Sequence, residues 1–179
     1  PEAFAALSPV EKASRLLYLN RTCYNGLYRV NSAGQFNTPY GRYMNPDIVN
    51  EAGLRAVSDY FNSADIRFES RDFAEVLDSL PKSSFVYLEP PYDPLSRTSS
   101  FTGYSRGGFG REEQIRLKEC CDALPRRGIR FLLSNSATPF MLDLYNEYKI
   151  IQVDARRAVN SVASGRGAVR EVLVRNYDR

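Results

Sequence analysis

Two short runs hold most of the side chains that could do chemistry. Glu89-Pro90-Pro91-Tyr92 follows the apolar run Ser84-Phe85-Val86-Tyr87-Leu88, and Ser134-Asn135-Ser136 closes a second apolar run that starts at Ile129. An acid followed by two prolines and an aromatic ring suits one task. An exocyclic amine on a nucleobase is a poor nucleophile, because its lone pair is delocalised into the ring. Two acceptors that take its N–H bonds favour a pyramidal nitrogen and free that pair. The Glu89 carboxylate is one such acceptor. The Pro90 carbonyl is the second, because Pro91 has no N–H and cannot pair as an ordinary strand residue. The Tyr92 ring is then available to stack on an extruded base. The plainer reading of the same four residues is a strand closed by a rigid Pro-Pro turn.

Absences narrow the chemistry further. The chain has no histidine, which removes Ser-His-Asp, Cys-His and His-metal mechanisms together with imidazole acid–base chemistry. Cysteines are three, Cys23, Cys120 and Cys121, an odd number with two adjacent. That suggests neither a zinc cage nor a disulfide framework, so no metal is expected, and a reducing cytoplasm is the expected setting. No apolar run reaches the roughly 18 residues of a membrane helix, and no secretory leader opens the chain. The sequence begins at Pro1 without an initiator methionine, which points to processing or truncation. Its 179 residues are 43% hydrophobic and 25% charged, the ordinary balance of one globular domain with room for a small appendage.

The net charge of +3 understates how the basic residues are distributed. Residues 12–46 carry Lys12, Arg15, Arg21, Arg29 and Arg42 and no acid. Residues 94–111 carry Arg97, Arg106 and Arg111, and residues 155–170 carry Arg156, Arg157, Arg166 and Arg170, again without an acid. Eleven of these twelve are arginine, whose planar fork suits phosphates and guanine edges. Interleaved with Tyr and Asn, the three windows point to nucleic acid rather than to a merely solvated surface.

The elements that must position these residues follow from local signals. Residues 9–22 are predicted helical, with Pro9 in the first turn, Ser8 as cap and Glu11 completing a capping box. Residues 24–46, rich in Asn, Gly, Pro and Tyr, read as a loop or hairpin. Helices are expected at 47–62, 73–80, 111–124 and 139–148. Strands are expected at 66–69, 84–88, 129–134, 150–153 and 171–174, with a long polar loop over 93–110. Alternation of this kind argues for α/β layering with a mostly parallel sheet, closed by an antiparallel edge hairpin. Ligands of open α/β sheets bind beyond the carboxyl ends of strands, where both chemical runs fall.

Four stretches, in order, carry a resemblance. They are Leu19-Asn20-Arg21-Thr22-Cys23-Tyr24-Asn25-Gly26-Leu27-Tyr28-Arg29 with Gly34-Gln35-Phe36-Asn37-Thr38-Pro39-Tyr40-Gly41-Arg42-Tyr43; Val86-Tyr87-Leu88-Glu89-Pro90-Pro91-Tyr92-Asp93-Pro94-Leu95-Ser96 with Phe101-Thr102-Gly103-Tyr104; Leu133-Ser134-Asn135-Ser136; and Arg156-Arg157-Ala158-Val159-Asn160 with Glu171-Val172-Leu173-Val174-Arg175-Asn176-Tyr177. On these the chain resembles the Dam-like family of DNA adenine-N6 methyltransferases, which use S-adenosylmethionine. The resemblance implies a partial Rossmann-like methyltransferase sheet over 63–179 and a small helical DNA-recognition segment with a hairpin over 1–62. It implies that Leu27, Arg29, Pro39 and Arg42 read a GATC-like site in double-stranded DNA. Tyr24 would fill the stack when the target base leaves, with Asn25 a polar contact beside it. Asp72 and Phe73 would line the adenine of the methyl donor, with Glu89 at its reaction side, and Glu89, Pro90, Pro91 and Tyr92 would be the catalytic tetrapeptide. Packing roles for Leu27, Phe73 and Tyr24 are the alternative.

Two departures from the family pattern stand out. The tetrapeptide normally begins with Asp, and Glu89 is one methylene longer. The Gly-rich strand–loop expected before the recognition segment has no counterpart, since Gly26 is the first glycine. A missing N-terminal segment or a partner chain is therefore expected to supply it. Two classes of function stay open: an adenine-N6 methyltransferase, whole or in its C-terminal part, and a methyltransferase remnant that only binds DNA. N4-cytosine transfer is the nearest other chemistry, although its sites usually open with Ser. The absence of a Cys-Pro pair argues against cytosine-C5 chemistry. A bacterial or phage-type, DNA-associated setting in the cytoplasm is expected.

Overall fold

A computed structural model describes residues 2–31, 33–95, 109–156 and 168–178. Ser96, Arg97, Arg106, Arg157, Arg166 and the motif stretches at 101–104 and 157–160 lie outside the described residues. The chain divides into two compact units, residues 1–69 and 70–179.

The first unit holds helices α1 (Glu2–Ala5), α2 (Pro9–Thr22) and α3 (Glu51–Ser63). The capping box that starts α2 forms in both directions. Glu11 N–H donates to Ser8 Oγ, and Ser8 N–H donates to Glu11 Oε2 at 2.8 Å. Between α2 and α3 the chain makes a tight turn at Tyr24–Gly26 and then a two-armed hairpin. The arms meet at two antiparallel bridges, Cys23 with Tyr40 and Val30 with Phe36. Asn31 shapes the tip, its Oδ1 accepting from the N–H groups of Ala33 and Gln35. Gly41 closes the base, where a Cβ would lie 2.3 Å from the Tyr43 ring and 2.7 Å from the Cys23 carbonyl. Helix α3 starts at Glu51 rather than near 47, because Asn50 is the residue whose side chain caps it, accepting from Gly53 N–H. The strand expected at 66–69 does not form. Four alternating residues without a neighbouring strand gain no ladder bonds.

The second unit holds α4 (Phe73–Ser79), β1 (Phe85–Leu88), α5 (Arg111–Ala123), β2 (Arg130–Ser136), α6 (Pro139–Leu144), β3 (Lys149–Arg156) and β4 (Ala168–Arg175). The described sheet has the order β1-β2-β4-β3. β1 and β2 are parallel, with α5 in the connection between them, as parallel neighbours require. β4 is antiparallel to both β2 and β3, so β1, β2 and β3 share one direction. The closing hairpin lies at the sheet's edge, but its reversed strand β4 is the inner one and β3 is outermost. The α/β class stands. β3 and β4 run longer than their apolar runs suggested because they pair over eight residues each.

The core of this unit is Leu77, Leu117, Cys121, Leu124, Ile129, Phe131, Leu133, Met141, Tyr145, Val172 and Val174. Helix α5 turns the stripe Gln114, Leu117, Lys118, Cys121 inward, the i, i+3, i+4, i+7 spacing of a helix face. Lys118 is tolerated there because Asp122 and Glu147 pair with it at 2.8 and 3.2 Å.

Candidate active site and nucleic-acid interface

The tetrapeptide follows directly on β1, at its carboxyl end. β2 carries Ser134, Asn135 and Ser136 inside its last turns of ladder rather than beyond them, because β4 pairs with all three. Since β4 runs the opposite way, its early residue Glu171 faces Ser136 and reaches the same end of the sheet. Topology therefore gathers Glu89, Tyr92, Ser134, Asn135 and Glu171 from three strands.

Glu89 is exposed, Pro90 and Pro91 are half-buried, and Asp93 is buried. The Tyr92 hydroxyl lies 3.0 Å from Ser134 Oγ and 3.5 Å from Glu171 Oε2, and the Tyr87 hydroxyl also reaches Ser134 Oγ at 3.2 Å. Burial pushes the Tyr92 phenol above the ordinary tyrosine range; the Ser134 hydrogen bond opposes this, and the Glu171 and Glu89 carboxylates add to it. The ring is thus anchored by a neutral hydroxyl through the neutral pH range. No donor among the described residues reaches the Pro90 carbonyl. The Pro91 carbonyl, by contrast, accepts from Gln114 Nε2 at 2.7 Å. Among the described residues, one acceptor at the tetrapeptide has no donor and the next is engaged.

Asp72 caps α4, its Oδ1 accepting from Ala74 N–H at 2.9 Å. Arg116 of α5 forks between Asp72 and Glu113 and lies 4.4 Å from the Phe73 ring centre. The Arg116 guanidinium, then the Ala74 N–H, hold the Asp72 carboxyl below the usual carboxylate range. Phe109 meets the Phe73 ring at a tilt, 5.9 Å between centres. Helix α5 therefore touches both candidate regions, through Arg116 at Asp72-Phe73 and through Gln114 at the tetrapeptide. Sequence reasoning missed both residues. The signal for Gln114 was its place on the buried α5 stripe, where a polar residue needs a partner.

In the first unit, Tyr24, Asn25, Leu27, Arg29, Pro39 and Arg42 are all exposed. Tyr24 and Leu27 are 44% and 39% exposed, which argues against plain core roles. Arg29 is held along the hairpin, its Nε and Nη2 donating to Asn37 Oδ1 and Asn37 O at 2.9 and 3.0 Å. The Pro39 carbonyl takes the Tyr24 N–H at 2.8 Å. Asn25 and Arg42 adopt left-handed backbone, with φ of 54° and 57°. Such conformations cost about 1–3 kcal/mol at non-glycine residues and concentrate at functional sites. The hairpin thus presents an arginine-bearing, aromatic surface with its backbone already set. Among the described residues, no group of three or more Cys, Asp or Glu side chains is placed to hold a metal ion. No described helix is long and apolar enough to cross a membrane.

Comparison with known proteins gives a concordant result. Residues 2–159 match the family model for D12 class N6 adenine-specific DNA methyltransferase. The chain is 43% identical over 171 residues to the type II methyltransferase M1.LlaDCHI of Lactococcus lactis subsp. cremoris, covering 96% of this chain and 60% of that protein. It is 42% identical over 170 residues to the type II methyltransferase M.MjaIII of Methanocaldococcus jannaschii, covering 94% and 58%. It is 38% identical over 165 residues to the DNA adenine methylase of Escherichia coli K12, covering 92% and 58%. The chain thus spans 58–60% of the length of these relatives.

Proposed function

The chain belongs to the D12 class of N6 adenine-specific DNA methyltransferases, and from that premise we propose that it forms the catalytic and DNA-reading part of an enzyme that methylates adenine N6 in double-stranded DNA. The observation that carries this reading is the tetrapeptide at the end of β1, with Glu89 exposed, no donor on the Pro90 carbonyl among the described residues, and the Tyr92 hydroxyl anchored. Glu89 and the Pro90 carbonyl accept the two N–H bonds of the target amine. The Tyr92 ring stacks on the flipped base. S-adenosylmethionine, when bound, supplies an electrophilic methyl group, and Asp72, Phe73 and Glu89 are the residues of this chain that would hold it. The half-buried Phe73 ring and the polar groups around it fit the adenine end of that donor. The hairpin residues Leu27, Arg29, Pro39 and Arg42 read a GATC-like sequence, with Tyr24 and Asn25 beside the vacated stack. The setting is the cytoplasm of a bacterial or phage host, at its DNA.

The methionine end of the donor needs a further segment. On the side of β1 away from β2 there is no strand among the described residues. An edge of this kind is a template for another strand. A preceding segment of the same polypeptide, or a partner chain, adds a strand at that edge and brings the glycine-rich loop. The shorter span of this chain relative to its relatives supports this. Glu89 in place of aspartate favours a second reading, a remnant that binds DNA without methyl transfer.

Transfer of labelled methyl to duplexes decides between them. The chain alone is expected to bind donor weakly and turn over little, and a polypeptide extended with the glycine-rich segment is expected to label adenine in GATC-containing duplexes. DNA binding without labelling by either form would establish the remnant. Label on cytosine would move the chemistry to N4.

A further inference from the structure

Both peptide groups that flank Tyr92 are held from inside the fold by one pair of carboxamides. Gln114 Nε2 donates to the Pro91 carbonyl at 2.7 Å, on the near side. The Asp93 N–H donates to Asn135 Oδ1 at 2.8 Å, on the far side. The two side chains join each other, Asn135 Nδ2 donating to Gln114 Oε1 at 3.3 Å. Asn135 Oδ1 also takes the Ser136 N–H at 2.8 Å. This chain of donors and acceptors works in one orientation only of each amide. Gln114 and Asn135 are 1% and 0% exposed. Beyond Tyr92, the Asp93 carboxylate takes a bond from Thr138 Oγ1 at 2.7 Å and lies 3.4 Å from Arg111 Nε. The backbone is therefore fixed immediately after the Pro90 carbonyl, for which no donor is found among the described residues.

Core cohesion alone does not call for this arrangement. Apolar side chains of the same shape would fill the same space and leave the Pro91 carbonyl and the Asp93 N–H without partners. Such groups would leave the Pro91–Tyr92 and Tyr92–Asp93 peptide planes free to tilt. A satisfied polar network instead specifies one geometry.

We propose that Gln114 and Asn135 are positioning residues of the catalytic tetrapeptide. By fixing the peptide planes on both sides of Tyr92, they set the direction of the Pro90 carbonyl and of the Tyr92 ring toward the target amine. This rests on the reading of the tetrapeptide as the holder of that amine.

The test uses the full-length protein with S-adenosylmethionine and adenine duplexes. Gln114→Met keeps length and volume but removes the donor to Pro91. It is expected to lower kcat by about 100-fold, the cost of roughly 1 Å of misplacement, with donor KM and duplex affinity unchanged and with only the Tm loss of a few degrees that unpaired buried polar groups bring. Asn135→Asp keeps the acceptor for the Asp93 N–H and is expected to retain more activity than Asn135→Leu. In amide exchange, the Asp93 N–H is expected to be slow in the wild type and fast in Asn135→Leu. Unchanged kcat in Gln114→Met, with an active wild type, overturns the inference alone. Equal losses of kcat, duplex affinity and Tm overturn it in favour of mere structural support. A wild type that methylates no adenine duplex overturns the functional reading and the inference with it.

Discussion

The roles proposed for Tyr92 and Glu89 differ, and each can be tested singly. The Tyr92 hydroxyl is held by Ser134 and lies within reach of Glu171, so Tyr92→Phe keeps the ring and loses this anchor. One hydrogen bond is worth about 1 kcal/mol, so kcat is expected to fall by about fivefold, with Ser134→Ala acting in the same direction. Tyr92→Ala also removes the stacking surface, worth about 1–3 kcal/mol per base, and steady-state kinetics on the extended protein should order the two variants accordingly. Glu89→Asp shortens the carboxylate by one methylene and is expected to raise turnover. If it gives no gain, Glu89 is a working acceptor at its present length. Duplex affinity should survive Glu89→Ala, because the arginine-bearing hairpin is elsewhere in the sequence.

The hairpin and the α4 cap are where the proposed specificity and local stability can be tested. Arg29 is tied along the hairpin to Asn37, which limits the orientations its fork must lose on binding. Arg29→Ala and Arg42→Ala are expected to reduce discrimination between recognition sites by about 1–3 kcal/mol, more than they reduce bulk affinity. Equal weakening on all sequences, measured by competition binding, would make them phosphate contacts instead. Gly41→Ala places a Cβ against the Tyr43 ring and the Cys23 carbonyl. It should therefore disturb the hairpin base and lose sequence discrimination without touching a reading residue. In the second unit, Asp72→Ala removes the α4 cap and is expected to cost about 1 kcal/mol in thermal unfolding. Asp72→Asn keeps the cap and should cost less, because the lost partner is the half-exposed Arg116.

At the scale of the molecule, charge and burial set the response to salt and pH. Three acid-free windows hold half of the basic residues, so DNA affinity should fall steeply with salt through counterion release. A flat response between low and moderate salt would count against DNA as the partner. The core of the second unit should be sensitive to alkali. Burial pushes the Cys121 thiol up to about 12, and it pushes the Tyr145 and Tyr148 phenols above the ordinary tyrosine range. A group whose folded pKa is raised stabilises fully below its unfolded value and loses that contribution as pH rises through the folded one. Stability against denaturant is therefore expected to fall from about pH 9 upward. Cys121→Ala should shrink the loss that begins there, leaving the smaller part from Cys120, whose thiol burial also raises, until the tyrosines begin to titrate near pH 10.

What was legible in the sequence was local. Ser8 and Glu11 announce the start of α2 because a capping box is closed within four residues. The Pro-Pro pair announces the end of β1, because proline cannot extend a ladder. The Asn-, Gly- and Pro-rich run announces the hairpin, and the spacing of apolar runs announces the α/β class. The strand expected at 66–69 failed for the complementary reason, since a local pattern cannot supply a partner. Likewise only pairing with β4 carries β2 through Asn135 and Ser136. The interior of the candidate site lay wholly beyond local reach. Gln114 meets Pro91 across 23 residues, Asp93 meets Asn135 across 42, and Tyr92 meets Glu171 across 79. A polar side chain read alone belongs at the surface, and only the tertiary fold could bury these, because only the fold brings together the partners that satisfy them.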